Sequence, residues 1–318
     1  MIRSVILGCG AYLPAQILTN DALIKLHAIE SSDEWIERRT GIKQRHFARD
    51  DEKTSDMATE AARKALQDAK LAIDAIDMII VATTTPDDAF PACATRVQAK
   101  LGMARGFAFD MQAVCSGFVY ALATADHFIK SGQVKNALVI GADRLSSLLD
   151  WKDRTTSILF GDGAGAVVVS AREGKGTNED QGILSTHLHS DGRHYEQLRT
   201  DASRAIRMDG QEVFRHAVNN LSSVVDEALE AIGLKPHDID WLVPHQANQR
   251  IIDGTGKKLN LLPERVVTTI ANHANTSAAS IPLALAEAVH DGRVKRGQIV
   301  LLDAMGGGFT WGAVILRW

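Results

Sequence analysis

Cysteine is scarce in this chain. There are three in 318 residues, Cys9, Cys93 and Cys115, an odd number with no Cys-x-x-Cys spacing. That excludes a disulfide framework and a zinc knuckle, and it suits a reducing, cytoplasmic compartment. Long apolar runs are missing too. The cleanest uncharged stretch, Met111 to Ala125, covers 15 residues between Asp110 and Asp126, short of the about 20 that a membrane-spanning helix needs. Val266 to Ala286 also lacks formal charges, but Asn272, His273, Asn275, Thr276, Ser277 and Ser280 make it far too polar. The N-terminus offers one Arg3 and a short apolar stretch before Gly8, with Pro14 soon after. This reads as a first strand and turn, not a secretory leader. Neither charge sign dominates: 35 Lys and Arg stand against 39 Asp and Glu, a net charge of −4. No global basic surface is available to hold nucleic acid.

What is present is ordinary globular composition, 45% hydrophobic and 23% charged, which excludes a disordered chain, a collagen-like fibre and a coiled coil. The length has room for about two domains at roughly 150 residues each. A chain this long buries around three quarters of its unfolded surface and needs no disulfide or metal staple.

The chain also matches itself. Ala65 to Asp77 aligns without a gap on Ala228 to Asp240, an offset of 163. Each copy is a helix end, a turn closing in Ile-Asp, then a buried strand, Met78–Ala82 or Trp241–Val243. Cys115 to Lys135 aligns on Asn275 to Lys295 at an offset of 160. Both read as a small-residue turn, an alanine-rich helix, a Gly-x-Val-Lys turn and a strand (Ala137–Ile140, Gln298–Leu302). A third pair closes each half: Ser157–Phe160, a turn at Gly161-Asp-Gly-Ala-Gly165, then Ala166–Ser170, beside Val300–Leu302, a turn at Gly306-Gly-Gly308, then Gly312–Leu316. The chain is therefore expected to be two α/β units, 1–172 and 173–318, joined at the Gly-rich, charged seam from Arg172 to Gln181. Strands apolar on both faces predict sheets covered by helices on each side.

The alignment sets Cys115 opposite Asn275, each where a turn enters a helix. A helix N-terminus offers free N–H groups and partial positive charge, so a cysteine there is expected to have a lowered pKa and to act as a nucleophile; a small buried core residue is the bland reading. Pro244 ends a strand and places His245 at its carboxyl end, where open α/β sheets put ligand groups. Gly306 to Gly308 let backbone N–H groups approach a ligand closely, the means of building an oxyanion hole. The turn at Gly161 to Gly165 reads as a plain hairpin. Gly8-Cys-Gly10 is not a dinucleotide fingerprint, because no glycine stands at position 13 and Pro14 interrupts. His187, His189 and His194 lack the carboxylate or cysteine cluster a metal site needs, so no metal is expected.

Taken together, Ala113-Val-Cys-Ser-Gly-Phe118, Pro244-His-Gln-Ala-Asn248, Asn275-Thr-Ser-Ala-Ala-Ser-Ile-Pro282 and Gly306-Gly-Gly-Phe-Thr-Trp-Gly312 resemble the 3-oxoacyl-[acyl-carrier-protein] synthase III family. Asp33-Glu-Trp-Ile, Arg39-Thr-Gly-Ile42 and Phe160-Gly-Asp-Gly-Ala-Gly165 fit as well. The motifs occur in order and span essentially the whole chain. The resemblance implies a thiolase-like α/β fold, two pseudo-symmetric halves in five αβαβα layers. Elongating condensing enzymes pair the cysteine with two histidines, whereas Asn275 stands where the second would be. Thiolases use a second cysteine, and none lies beyond residue 115.

The resemblance further implies that Cys115 is acylated by acyl-coenzyme A, acetyl being the expected primer, and that malonyl-acyl carrier protein then condenses with loss of carbon dioxide. His245 and Asn275 would hold the malonyl thioester carbonyl, and the N–H groups of Cys115 and Gly307 would form the oxyanion hole. Trp35 and Arg154 would flank the coenzyme A adenine. Arg39 would reach its adenine or phosphate end, and Asn248 and the backbone near Gly210 would hold the pantetheine. Arg215, Arg250, Lys257 and Lys258 are candidates for carrier-protein docking, the last three sharing a helix face at two-turn spacing. No organic cofactor is required, and a homodimer is implied, with loops around Phe90 and the partner subunit shaping the acyl pocket. Met305 departs from the family, which more usually has phenylalanine there; methionine is as apolar but more flexible. Two other readings are a relative condensing other primers in secondary metabolism, and a non-catalytic acyl-binding protein. The second would be expected to lack one of Cys115, His245 or Asn275.

Cys115→Ala should abolish acyl transfer and condensation, while Cys9→Ala and Cys93→Ala should not. Mass-spectrometric mapping of the acyl adduct checks this; an adduct on Cys9 or Cys93 contradicts it.

Overall fold

A computed structural model describes all 318 residues, Met1–Trp318. Its strands are β1 (Ile2–Tyr12), β2 (Gln16–Thr19), β3 (Gln44–Phe47), β4 (Met78–Ala82), β5 (Phe107–Met111), β6 (Asn136–Arg144) and β7 (Asp162–Glu173). There follow β8 (Gly182–Ser190), β9 (Leu198–Thr200), β10 (Ile206–Met208), β11 (Trp241–Pro244), β12 (Ile299–Gly306) and β13 (Thr310–Arg317). The helices are α1 (Asn20–His27), α2 (Asp33–Thr40), α3 (Thr54–Asp68), α4 (Cys93–Leu101) and α5 (Gly117–Lys130). After them come α6 (Arg154–Ser157), α7 (Gly210–Glu230), α8 (Gln249–Lys258), α9 (Ile270–His273) and α10 (Ser280–His290).

Two mixed sheets form the body, one ordered β1-β7-β6-β4-β5 and the other β11-β12-β13-β8. β4 is buried at every residue, the pattern of a strand covered on both faces. Phe118, Val119 and Leu122 of α5 and Ile281, Ala284 and Leu285 of α10 share one core with residues of both sheets. α3 and α4 cover the other face of the first sheet, and α7 covers that of the second, over Leu301 and Ile315. The result is five layers, αβαβα. No helix is long and apolar enough to cross a membrane.

The internal repeat reappears as equivalent bonding. A short 3₁₀ turn precedes each of β4 and β11, at Ile73–Ala75 and Pro236–Asp238. The N–H of Asp77 donates to the Asn136 carbonyl, and that of Asp240 to the Ile299 carbonyl. Each aspartate returns the contact, Oδ2 accepting from the N–H of Asn136 at 2.9 Å and of Ile299 at 2.8 Å. The partners of each pair lie 59 residues apart, and corresponding residues of the two pairs lie 163 apart.

One part of the sequence reading fails. Arg154–Ser157 is helical, and Gly161 to Gly165 is no hairpin turn: Asp162 already begins β7, which runs unbroken to Glu173. The glycines serve close approach. A Cβ on Gly165 would lie 2.7 Å from the Leu283 nitrogen, and one on Gly163 would lie 3.0 Å from the Leu283 side chain. In a strand interior, glycine marks such a site as readily as a turn. The first-half counterpart of the tight β12–β13 hairpin is thus the β6–β7 pair, joined by a long connection.

Candidate active site

Ala113 and Val114 lead into a 3₁₀ turn, Val114–Ser116, that runs straight into α5. Val114 has φ +49°, a left-handed value uncommon for a β-branched residue and a form of local strain. Ser277 opens the matching 3₁₀ turn, Ser277–Ala279, ahead of α10 and has φ +51°, so both turns start on a left-handed residue. The structural offset here is 163 and not the 160 of the sequence alignment: Cys115 corresponds to Ala278, and Asn275 stands two residues before its turn.

Hydroxyl groups tie the Cys115 turn to the glycine turn. Ser116 Oγ donates to the Ala113 carbonyl at 2.7 Å and to Thr310 Oγ1 at 2.8 Å. Thr310 Oγ1 in turn bonds the carbonyls of Ala113 and Gly307. A Cβ on Gly306 would lie 2.7 Å from the Cys115 nitrogen, and one on Gly307 would lie 2.6 Å from the Leu198 carbonyl oxygen. Only glycine permits the turn to sit there. Cys115, Ser277, Gly307 and Thr310 line a cavity of about 330 Å³ whose apolar wall includes Leu145, Phe160 and Ile206.

His245 and Asn275 do not line that cavity; both are buried beside it. The His245 N–H donates to the Asp303 carbonyl at 2.8 Å, which holds it against β12 three residues before the glycine turn. Asn275 pairs with β7's approach: its N–H donates to the Leu159 carbonyl and its carbonyl accepts from the Gly161 N–H, both at 3.0 Å. Asn275 Oδ1 accepts from the Ser277 N–H at 2.9 Å.

Burial sets the charge states of the site. Burial pushes the Cys115 thiol up to about 12, against the Ser277 hydroxyl, which lowers it. The lowered pKa expected at a helix start is therefore outweighed in the resting chain. Burial also pushes His245 down to about 3, with no carboxylate beside the ring to balance an imidazolium. His245 is a neutral imidazole.

Sequence reading missed the anchors. Asp143 is fully buried at the end of β6. Its Oδ1 accepts from the Thr84 N–H at 2.7 Å and from the hydroxyls of Thr83, Thr84 and Thr85. Its Oδ2 accepts from the Ala278 N–H at 3.1 Å. The Thr83-Thr-Thr85 run was the available signal, three donors at a strand's carboxyl end. Asp303 of β12, which the 163-residue repeat sets at the place of Ile140 and not of Asp143, is as buried, yet neither carboxyl oxygen has a partner.

The coenzyme candidates form two groups. The Arg154 guanidinium lies 5.4 Å from the Trp35 ring centroid, a cation–π contact,. Arg39 is exposed and joins Asn248, whose Nδ2 donates to the Arg39 carbonyl at 3.3 Å while its Oδ1 caps α8 through the Arg250 N–H. Gly210 opens α7 behind the cap Asp209. Among the basic candidates, the Arg250 guanidinium sits 5.2 Å from the Phe214 ring on α7, and Lys258 Nζ donates to Asn219 on the same helix. Lys257 is exposed two turns after Arg250, whereas Arg215 is tied to Glu212. His187 and His189 both bond Glu227, and His194 stacks apart from them on Phe309.

The chain matches known families over most of its length. The family model for 3-oxoacyl-[acyl-carrier-protein (ACP)] synthase III matches residues 109–192, and that for the C-terminal part of the same synthase matches residues 229–318. The beta-ketoacyl-[acyl-carrier-protein] synthase III of Rhodospirillum centenum is 65% identical over 100% of this chain and 99% of its own. The chain belongs to the 3-oxoacyl-[acyl-carrier-protein] synthase III family. The same-named protein of Paramagnetospirillum magneticum is 60% identical over 100% of this chain and 99% of its own. The crystal structure of 3-oxoacyl-[acyl-carrier-protein] synthase III from Aquifex aeolicus superposes with a TM-score of 0.95 at 50% identity, covering 99% of this chain and 100% of that one. The five layers are thus the thiolase-like fold of the condensing enzymes.

Burial pushes the Asp303 carboxyl from its ordinary 3.8 up to about 7. A raised carboxyl keeps its proton in the folded chain after the unfolded chain has lost its own. Stability therefore falls as pH rises through that window, and the penalty is complete above it. Asp303→Asn should raise the melting temperature more at about pH 8 than at about pH 4. Thermal denaturation at both pH values measures this, and equal shifts would contradict it.

Proposed function

We propose that this chain, a condensing enzyme that initiates fatty-acid synthesis, takes an acyl primer from acyl-coenzyme A onto Cys115 and extends it with malonyl-acyl carrier protein. The observation that carries the reading is the meeting of Cys115, Ser277 and the glycine turn in one largely apolar cavity at the head of α5.

In the first half-reaction the Cys115 thiolate attacks the primer's thioester carbon. The bond to the coenzyme A sulfur breaks, and coenzyme A leaves with a proton. Exchange of one thioester for another is nearly balanced, so the enzyme needs an available thiolate more than a driving force. The N–H groups of Cys115 and Gly307 receive the oxyanion, a position supported by the contact between their turns. Trp35 and Arg154 take the adenine between an indole and a guanidinium plane; the guanidinium already lies 5.4 Å from the ring centroid,. Arg39, Asn248 and the backbone at Gly210 hold the rest of the coenzyme.

In the second half-reaction the malonyl carboxylate leaves as carbon dioxide. The electrons of the broken carbon–carbon bond enter an enolate, which attacks the acyl-cysteine, forms the new carbon–carbon bond and expels the thiolate. His245 and Asn275 donate to the thioester oxygen as it gains charge. Neutral donors suit this step, since a carboxylate would repel the enolate, and burial keeps His245 neutral,. The products are 3-oxoacyl-carrier protein, coenzyme A and carbon dioxide. Met305, bonded by Asn220 Nδ2 at 3.9 Å and packed with Phe309, supplies the apolar wall at the family's phenylalanine position.

The unit is read as a homodimer of two-part chains divided at 172 and 173. β5 is an edge strand, and Phe107 stacks there on Phe109 and against Phe128 while remaining 37% exposed. Exposed apolar edges are sites of strand pairing. Phe90, 85% exposed, stands ready to contribute to a partner. Three unpaired cysteines, one of them the nucleophile, suit a reducing cytoplasm,.

His245→Ala and Asn275→Ala should each lower malonyl decarboxylation and condensation by roughly 10²–10³, the usual effect of losing one oxyanion donor, while Cys115 is still acylated. Separate assays of the half-reactions test the roles; loss of acylation with decarboxylation intact in Asn275→Ala contradicts them.

Acyl carrier proteins are acidic, and this chain's net charge is −4, so attraction rests on the α7–α8 patch. Arg250→Glu with Lys257→Glu should raise KM for malonyl-carrier protein, most at low salt, and spare acyl transfer from coenzyme A. Steady-state kinetics at two ionic strengths tests this, and equal losses in both steps would remove the docking role.

A further inference from the structure

Gly8-Cys-Gly10 has no part in the reaction above, yet it builds a second cluster. A Cβ on Gly8 would lie 2.3 Å from the Ala69 nitrogen, and one on Gly10 would lie 2.2 Å from the Ala61 carbonyl oxygen. The two glycines let β1, an edge strand, lie directly against α3. Cys9 between them is drawn to the last residue of α3, Asp68, whose Oδ2 accepts the Cys9 N–H at 2.8 Å. From the other side comes His290, the last residue of α10, its Nε2 3.9 Å from Cys9 Sγ and 3.7 Å from Asp68 Oδ2. The three ligand-capable atoms all lie within 4.8 Å of one another.

We propose that Cys9, Asp68 and His290 form a binding site for one divalent transition-metal ion of the zinc class. The donor set selects the ion: a thiolate and an imidazole favour zinc or cobalt, whereas magnesium and calcium take oxygen ligands. The spacing fits. Tetrahedral zinc, with bonds of about 2.3 Å to sulfur and about 2.0 Å to nitrogen, holds neighbouring ligand atoms about 3.3–3.6 Å apart. The His290 and Asp68 side chains are 51% and 38% exposed, so both can close by the few tenths of an ångström required, and water can fill the fourth position.

The electrostatics point the same way. Asp68 ends a helix, where the macrodipole disfavours an anion, and His290 ends another. A cation between two helix C-termini answers both. The nearby Arg296 does not compete for the place: its guanidinium bonds the carbonyls of Ile6 and Leu7 and lies over the Trp318 ring. On binding, the Cys9 S–H bond breaks, sulfur keeps the electron pair and bonds the metal, and the proton passes to solvent. The ion would join the first strand, an outer helix and a central helix, across the two halves of the chain. None of the three residues lines the Cys115 cavity.

The test is titration of the EDTA-treated, dialysed full-length chain with Co²⁺, followed by displacement with Zn²⁺. One equivalent should bind with a thiolate-to-cobalt charge-transfer band, in the parent and in Cys115→Ala alike. The band should vanish in Cys9→Ala. His290→Ala and Asp68→Asn, both at partly exposed side chains, should keep the fold and condensing activity but weaken binding by about 10²-fold or more. Zn²⁺ should raise the melting temperature of the parent and not of His290→Ala. A band absent from the parent, lost in Cys115→Ala, or unchanged in affinity in His290→Ala would overturn the proposal.

Discussion

The close approach of the two central helices' leading turns governs this structure. A Cβ on Gly117 would touch the Ala278 Cβ at 3.4 Å, and one on Gly141 would lie 2.1 Å from the Ala278 carbonyl oxygen. No larger residue fits at Gly141 without moving backbone. Because α5 and α10 lie between the same two sheets and are related by the repeat, their first turns arrive at one place. Cys115 comes with one turn; Asn275 and Ser277 come with the other. Gly117 at the head of α5, Gly141 of β6 and Ala278 ahead of α10 are what allow that proximity.

Two buried aspartates near it differ in how they are satisfied. Asp143 is saturated by the threonine run and the Ala278 N–H, and so locks the first sheet to the turn before α10. Asp303 of β12, in register with Pro244, has no partner for its carboxyl. It leaves an uncompensated polar group next to the strand end that carries His245, the kind of local cost that active sites retain. Burial also decides the charge at Cys115 and His245, keeping the thiol protonated and the imidazole neutral.

Polar contacts around Cys115 are short-range and mostly hydroxyl-based. Ser116 and Thr310 join the Cys115 turn to the glycine turn, far apart in sequence, without introducing a formal charge. The buried carboxyl of Asp143 acts on Cys115 from nearby and raises its pKa. The charged side chains proposed to meet coenzyme and carrier protein lie at the periphery, on α2, α6, α7 and α8.

Periodicity and self-similarity were enough to read the α/β class, the strands β4 and β11 and the helices that follow Cys115 and Asn275. These are local properties: an apolar run, a helix start and a repeated spacing are written in neighbouring residues. The glycines from Gly161 to Gly165 could not be read this way. A glycine that makes a turn and one that admits a neighbouring helix look alike until Pro282 and Leu283 are in place. The partners of Asp143, the missing partners of Asp303 and the gathering of Cys9, Asp68 and His290 were equally hidden. They join residues scores to hundreds of positions apart. Only tertiary packing sets such distances, because burial and hydrogen-bond geometry belong to the surroundings of a side chain and not to its place in the chain.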